Sequence, residues 1–459
     1  MSWTSDNSGH ESFRRDGTQA FYYAAAVLLS VVAGLAASRS GPAFMLTVAA
    51  AVAGSVLVLG AFAKKFLIWG CVGILLLFPA TIATQQVMTG AFFFASYLAV
   101  VYLLFSGANA RSWAALLIAG IPLAGLALTG VGSPATVITA TAPILAAVSV
   151  TTALINFART NPAGFRAIVV TLIYLSIPIV LLAIYQRVTG TWPLLDQFAR
   201  LTSANSDGRS AANFGHPIIY GVFAQTMAVS AWFYKPKLWQ LAVFGNVVGL
   251  VLSGTRGSWL AFLIMLALSL IVLARQTGRS VNFARTIGGA CAAIVFAAVV
   301  ITAFPAPLHS AANSVETRLD SVAAKSSTKA REARARLAVK SIGSGPETLI
   351  IGHGPGAAQA FWIRTGNLGD TGAATFDSSY LTVAYDYGIL GGGLLSLALI
   401  LFALFPGQAV GRIVVVGLAV SLYTFDWAGW PSVICLIAIG IAQTQARPAP
   451  ARTFPIASR

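Results

Sequence analysis

Long apolar segments recur along this chain and leave little room for a soluble fold. Hydrophobic residues make up 57% of the sequence and charged residues only 9%, against about 25% charged residues in soluble domains. A membrane-spanning helix needs roughly 20 apolar residues, and about fourteen runs approach that length. The runs are too long for barrel strands, which measure about ten residues. The chain is therefore expected to be an all-α polytopic membrane protein.

The apolar runs divide the chain into five parts. Residues 1–19 form a polar tail without the basic-then-apolar pattern of a cleaved signal peptide. A bundle of about eleven transmembrane helices fills 20–304, a large polar loop covers 305–376, C-terminal helices cover 377–445, and a second tail covers 446–459. The expected total is about 12–14 transmembrane helices. The predicted spans are 20–38, 43–62, 66–84, 90–107, 112–130, 137–157, 167–186, 213–233, 238–253, 257–274, 286–304, 379–404, a short one at 412–426, and 429–445.

The basic residues predict the orientation of the bundle. The formal net charge is +16, which in a soluble protein would favour nucleic-acid binding. Most bases lie in short loops between spans, so the positive-inside rule explains them and no nucleic-acid partner is expected. If both tails are cytoplasmic, every short basic loop except the turn at Arg256 is cytoplasmic too, and the loop 305–376 faces outward. The loop bases on the cytoplasmic side are Lys64, Lys65, Arg111, Arg159, Arg166, Lys235, Lys237, Arg275, Arg279, Arg285 and Arg412.

Arg256 is the first candidate site residue, because it lies on the predicted outer side against the charge rule. It occupies the tight turn Ser253-Gly-Thr-Arg-Gly-Ser-Trp259 between two spans. Charged residues at membrane depth are functional candidates by default. The alternative is an interfacial arginine that reaches the lipid head groups beside Trp259.

A second outward segment carries Arg209 and His216 just before a predicted span. Arg209 can hold an anion, and His216 can donate a hydrogen bond to it or act as a base near neutral pH. The structural alternative for His216 is that His216-Pro217 ends the loop and caps the helix that follows.

The large loop contains a predicted helix over 327–342, capped by Ser327 or Thr328 and ended by Gly343-Ser-Gly-Pro346. Its arginines can hold phosphate through paired hydrogen bonds, or simply keep the helix solvated. These arginines are Arg331, Arg334 and Arg336.

Glycine-rich sequence follows at Gly352-His-Gly-Pro-Gly356. A tight turn of this kind exposes backbone N–H groups that can bind an anion. The alternative is a plain turn, which is what most Gly/Pro clusters form. His353 within the turn is a further candidate side chain.

The loop returns to the membrane at Asp377-Ser-Ser-Tyr380. Asp377 is a candidate general base, or alternatively the N-cap of the last long span. Asp386 lies about two turns deeper, where a hydrogen bond to a tyrosine or to the backbone is expected.

The remaining sequence gives no sign of a metal or cofactor site. The three cysteines, Cys71, Cys291 and Cys435, lie inside apolar runs and read as small core residues. No nucleotide-binding loop, nucleophile elbow or zinc spacing occurs in the sequence.

Four motifs, taken in order, resemble the O-antigen ligase / O-antigen polymerase (Wzy-like) family of bacterial membrane glycosyltransferases. They are Arg209 with Gly215-His-Pro217, the turn that carries Arg256, the loop helix with Arg331 followed by the glycine-rich turn, and Tyr380-Leu with Tyr387-Gly-Ile-Leu-Gly391. The resemblance covers about residues 200–400.

The resemblance implies a GT-C-like fold in the bacterial inner membrane, with a metal-independent, inverting site on the periplasmic face. It implies donors carried on undecaprenyl pyrophosphate, with Arg209, Arg256 and Arg331 binding the pyrophosphate. Asp377 falls where the family has its base, and His216 is a second catalytic candidate. His353, Arg334 and Tyr380 are secondary candidates.

One departure bears on the type of transfer. Many family members have His-Asn before the Tyr-Leu, whereas this chain has Asp377-Ser378. That change favours a polymerase of exopolysaccharide or O-antigen, with a chain-length regulator as a further partner, over a ligase to lipid A core. A transporter or flippase of lipid-linked saccharide is the third alternative. A transporter would need charged residues in mid-membrane in several spans. In this sequence Asp386 is nearly the only such residue.

Overall fold

The computed structural model describes residues 42–77, 85–110, 112–114, 134–191, 209–277, 335–358, 360–361, 376, 378–404, 407–426 and 430–446. Helices dominate these residues and no strand occurs among them, so the predicted all-α fold is confirmed. Five described helices are long and apolar enough to cross a membrane. The chain is a polytopic membrane protein. Outside the described residues lie the predicted tail 1–19, all of the predicted tail 446–459 except Ala446, the predicted spans 20–38 and 286–304, most of 112–130, and much of the loop 305–376.

Eleven described helices are numbered here in chain order. They are α1 Pro42–Leu77, α2 Gln85–Ser106, α3 Pro134–Thr160, α4 Pro162–Thr189, α5 Pro217–Tyr234, α6 Trp239–Ser253, α7 Arg256–Thr277, α8 Pro346–Ile351, α9 Ser379–Leu404, α10 Ala409–Leu422 and α11 Pro431–Gln445. Six of them begin with proline, whose fixed φ and missing N–H suit the first helical position.

Most of the predicted spans within the described residues each correspond to a separate helix. The predicted spans 43–62 and 66–84 fall together in α1, which is non-helical at Ala63 (φ −145°, ψ 47°), next to the predicted basic loop. The short run at 412–426 forms α10, whose 14 residues extend only ~21 Å at about 1.5 Å per residue. That length is below the ~30 Å of the hydrocarbon core.

The described helices run in two opposite directions, so the bundle has two ends. At the "basic end", α3 meets α4 and α5 meets α6, and the Arg166 guanidinium donates to the carbonyl of Tyr234 (3.3 Å). The "junction end" is where α4, α6 and α10 end and α5, α7 and α9 begin. The described bases of the predicted cytoplasmic loops belong to the basic end: Lys64, Lys65, Arg159, Arg166, Lys235, Lys237, Arg275 and Arg412.

Polar side chains tie the central helices together inside the apolar core. α11 is buried along nearly its whole length, as expected of a helix that is apolar all round. Gln225 of α5 donates to Ser421 of α10 (2.8 Å), and Asn246 of α6 donates to Ser176 of α4 (2.7 Å). Such interhelical hydrogen bonds are a usual means of holding membrane helices in register.

A second, smaller apolar cluster joins the large loop to α9. Ala338 and Ile342 of the helical segment 335–342 pack there with Tyr385 of α9, together with Ala358 and Phe376. The segment ends at Gly343, where the sequence predicted the end of the loop helix. The predicted start of that helix lies outside the described residues.

Candidate active site

The turn between α6 and α7 presents Arg256 at the junction end. α6 is closed by Gly254 in the left-handed conformation (φ 59°), which glycine adopts without strain. The indole N–H of Trp259 donates to the carbonyl of Leu250 (2.8 Å), and the Ser253 and Thr255 hydroxyls lie 2.8 Å apart. The turn is therefore held from within, and Arg256 is half-buried as the first residue of α7.

Two neighbouring elements enclose this turn. A Cβ added at Gly221 of α5 would lie 2.8 Å from the Ser258 hydroxyl oxygen and 3.0 Å from that of Ser253. On the other side, a Cβ at Gly257 would collide with the side chain of Thr424, which follows α10. Glycine at both positions therefore lets α5 and the end of α10 approach the Arg256 turn closely.

The segment that carries Arg209 is bound to the same end of the bundle. The amide N–H of Ser210 donates to the carbonyl of Leu252 (3.0 Å), near the end of α6. The Gln186 side chain of α4 accepts from the amides of Ala211 (3.2 Å) and Ala212 (2.8 Å) and donates to the carbonyl of Ala212 (3.2 Å). Arg209, itself half-buried, is thus brought to the helix end that leads into the Arg256 turn.

His216 is the N-cap of α5, as one of its two interpretations predicted. Its Nδ1 accepts from the amide N–H of Ile218 (3.2 Å). A neutral imidazole with that bond carries its proton on Nε2, a tautomer inferred here from the hydrogen bond. The ring also lies 5.5 Å, centroid to centroid, from that of Trp430. In this arrangement His216 can donate from Nε2, whereas action as a base would require loss of the cap.

The start of α9 is fixed to the end of α10. Both the amide and the hydroxyl of Ser379 donate to the carbonyl of Phe425 (2.9 and 2.7 Å). The Tyr380 hydroxyl donates to the carbonyl of Ala419 (2.9 Å), so this secondary candidate has a structural partner. Thr382 donates to the carboxylate of Asp426 (3.1 Å).

Asp426 is a polar residue of this end that the sequence reasoning missed. The available signal was an acid in Phe425-Asp-Trp427, between two apolar runs on the predicted outer side. A single acid in a short turn is an ordinary surface feature, and only the contact with α9 distinguishes it.

Three candidates, Asp377, Arg331 and Arg334, lie outside the described residues. The chain on either side of Asp377 is described: Phe376 is 2% exposed and Ser378 is 4% exposed. Ser378 directly precedes the residue that binds the carbonyl of Phe425. The neighbours of Asp377 are therefore buried next to the junction end.

The glycine-rich turn does not offer its N–H groups to a ligand. The amides of Gly356 and Ala358 donate to the two carboxylate oxygens of Asp386 (3.0 and 2.7 Å), and that of Gly354 donates to its carbonyl (2.9 Å). The expectation that this turn binds a ligand anion is therefore wrong for these amides, because an internal carboxylate takes them. The predicted backbone hydrogen bonding of Asp386 is confirmed.

His353 belongs to the contact between the loop and α9. Its ring stacks on that of Tyr385, with centroids 4.3 Å apart and planes at 10°. Its Nε2 lies 3.5 Å from the Ser341 hydroxyl. Among the described residues, then, the structure gathers Arg209, His216 and Arg256 at the junction end and joins His353 to α9. No group of three or more potential metal ligands occurs within the described part of the chain.

Comparison with known families agrees with this architecture. Residues 241–396 match the family model described as O-Antigen ligase. This stretch is therefore similar to that family. The matched residues include Arg256, Arg331, His353 and Asp377, whereas Arg209 precedes them. No curated protein matches the chain.

The resemblance read from the sequence motifs is therefore confirmed at the level of the O-antigen ligase/polymerase-like family. The match spans about a third of the 459 residues. Together with the five apolar helices, it supports a multi-pass membrane protein with an O-antigen ligase- or polymerase-type activity.

Proposed function

We propose that the protein is an inner-membrane glycosyltransferase that joins saccharide units carried on undecaprenyl pyrophosphate, acting at its junction end. The observation that carries this proposal is the convergence of Arg209 and Arg256, whose separate segments are joined by the hydrogen bond from Ser210 to Leu252. Arginine binds phosphate oxygens through paired, charge-assisted hydrogen bonds. Two arginines at one helix end suit a pyrophosphate.

The charge distribution supports a periplasmic site. The described short basic loops belong to the basic end, opposite Arg209 and Arg256. The positive-inside rule assigns basic loops to the cytoplasm, so the junction end would face the periplasm. A nucleotide sugar does not reach that side, whereas a lipid-linked donor can enter the site from the bilayer.

The proposed chemistry is a single displacement at the anomeric carbon of the donor sugar. The acceptor hydroxyl forms the new glycosidic bond while the bond to the pyrophosphate breaks, with inversion. Asp377 takes the acceptor proton, and the departing pyrophosphate keeps the electron pair. Arg209, Arg256 and Arg331 stabilise the negative charge that grows on it. His216 is suited to donate a further hydrogen bond from Nε2 to the departing pyrophosphate.

A polymerase is the favoured form of this activity, because Asp377-Ser378 stands in place of His-Asn. A ligase to lipid A core is the second candidate, favoured by the description of the matching family. Gel analysis of glycans from a deletion strain separates the two. Single repeat units indicate a polymerase, whereas lipid-linked polymer left unattached indicates a ligase.

The arginine assignment is tested by Arg256→Ala, with Arg275→Ala at the opposite end of α7 as the matched control. Loss of one group that stabilises transition-state charge typically costs about 10²–10³-fold in rate. We expect Arg256→Ala to lose surface polymer at an unchanged protein level in the membrane, and Arg275→Ala to retain it. Full-length polymer from both Arg256→Ala and Arg331→Ala would refute pyrophosphate binding by these residues. Full activity of Asp377→Asn would exclude Asp377 as the base.

A further inference from the structure

The long helix α9 is interrupted inside the membrane-spanning segment. Gly388 has φ 68° and ψ −171°, which ends one helical stretch and starts another. A break of this kind frees backbone carbonyls, which must find partners when buried. The carbonyls of Tyr385 and Asp386 accept from the amides of His353 and Gly354 (2.9 Å each). The glycine-rich turn therefore closes the broken helix.

The Asp386 carboxylate adds two further hydrogen bonds to this contact. Its oxygens accept from the amides of Gly356 (3.0 Å) and Ala358 (2.7 Å), and the residue is only 6% exposed. A buried carboxylate is costly unless it is hydrogen-bonded. The acid that faces it, Asp426, is of like charge, so the amides of the turn are its favourable partners.

The two backbones approach each other as closely as glycine allows. A Cβ at Gly352 would lie 2.5 Å from the backbone carbonyl of Asp386, and a Cβ at Gly388 would lie 2.6 Å from the amide nitrogen of Ile351. Both glycines have positive φ (79° and 68°), a conformation that other residues rarely adopt. We call this contact between 350–358 and 385–388 "the loop dock".

The loop dock also fixes the helical segment 335–342. The Ser341 hydroxyl donates to that of Tyr385 (3.3 Å), and Ala338 and Ile342 pack in the apolar cluster with the same tyrosine. Arg331 and Arg334 come directly before this segment in the sequence. Displacement of the dock would therefore displace the segment to which these arginines are attached.

We propose that Asp386 is a positioning residue for the transfer reaction, because its carboxylate holds the loop dock and thereby places the arginine-bearing loop relative to α9. The inference rests on the proposed function, since it assigns a purpose to that placement. Asp386 acts through the loop and takes no proton from the acceptor. A misplacement of about 1 Å can cost about a hundredfold in rate, and this is the loss expected for Asp386→Ala.

A redox-controlled tether tests the proposal. In a background without the three native cysteines, Ala358→Cys is combined with Asp386→Cys, because the Ala358 amide lies 2.7 Å from a carboxylate oxygen of Asp386. The Cα atoms of a disulfide lie about 4.4–6.8 Å apart. We expect the disulfide to form in membranes without added donor. Activity is measured on donor accumulated in a deletion strain. We expect the oxidised double variant to be about as active as the cysteine-free parent protein, and its activity to be about a hundredfold lower after reduction of the disulfide.

Asp386→Cys alone, at an unchanged membrane level, should be weakly active in both redox states. A tether restores position but cannot accept a proton, so rescue by oxidation separates positioning from acid–base chemistry. A disulfide that forms without rescue, a pair that never forms, or a fully active Asp386→Ala would each overturn the proposal. An active Arg256→Ala beside an intact redox response would instead overturn the pyrophosphate assignment and leave the loop dock standing.

Discussion

Gly388→Ala is expected to open the loop dock without unfolding the bundle. The residue has φ 68° and ψ −171°, and holding alanine in such a region costs of order 1–3 kcal/mol. The added Cβ would also overlap the carbonyl group of Ile350 and lie 2.6 Å from the amide nitrogen of Ile351. These are backbone atoms, which cannot rotate away, and overpacking typically costs another 1–3 kcal/mol or so.

The expected total of about 2–6 kcal/mol compares with the strength of the dock itself. Its two backbone hydrogen bonds are worth roughly 0.5–1.5 kcal/mol each, and the two bonds to the carboxylate roughly 1.5–3 kcal/mol each. The perturbation is therefore of the same size as the contact it disturbs. It involves no residue of the central helices, so local opening is favoured over global unfolding.

Hydrogen exchange of the amides in 353–358, with limited proteolysis of the loop, measures this opening in detergent or nanodiscs. A loss of about 2 kcal/mol increases the open fraction roughly 30-fold. Gly393→Ala is the matched control, because it lies in the same helix and no atom comes within 4 Å of its added Cβ. Equal protection in Gly388→Ala and Gly393→Ala would show that the two backbones are not in contact and would refute this reasoning.

Two further predictions concern the junction end. Gln186→Met should leave the amides of Ala211 and Ala212 without their side-chain partner. It should destabilise the segment after Arg209 by roughly 1–3 kcal/mol per lost group, measured as a lower thermal midpoint of unfolding. An unchanged midpoint and unchanged activity would contradict the bridging role of Gln186. Gly221→Ala should force apart the hydroxyls around the Arg256 turn and reduce the rate of transfer about tenfold. Gly245→Ala is the control and should leave transfer unchanged, because its Cβ would meet only ordinary contacts at 3.8 and 3.9 Å. Equal rates in the two variants would contradict the prediction.

The helical framework was predictable because apolar run length depends only on local sequence. The predicted span 379–404 has the same bounds as α9. The cap at His216-Pro217 was also readable, since both the acceptor side chain and the proline act within one helical turn. The turn at Arg256 was predictable for a similar reason, because Gly254, which ends the helix, lies within the turn itself.

The loop dock was not predictable from the same local patterns. Asp386 and the glycines from Gly388 to Gly393 lie within an apolar run that Ile389 and Leu390 continue, so the length of the run did not indicate a break at Gly388. The break depends on amides about 30 residues earlier in the chain, supplied by Gly354 and Gly356. The sequence predicted that the turn suited an anion, but only the fold identifies Asp386 as that anion. Asp426 was not identified from the sequence for the same reason, because its partner Thr382 is distant in sequence.

The order in which the polar partners are synthesised gives the loop dock a further consequence. Asp386 follows its donor Ala358 by 28 residues, so the ribosome has already made the amides that neutralise this carboxylate when it reaches the acid. Gln225, by contrast, precedes its partner Ser421 by 196 residues, so its partner is made only after most of the remaining chain has been translated. A waiting amide is tolerable in a nascent membrane protein, whereas a waiting carboxylate is far more costly. During insertion, the chain thus supplies the most demanding polar group of α9 with partners that are already made.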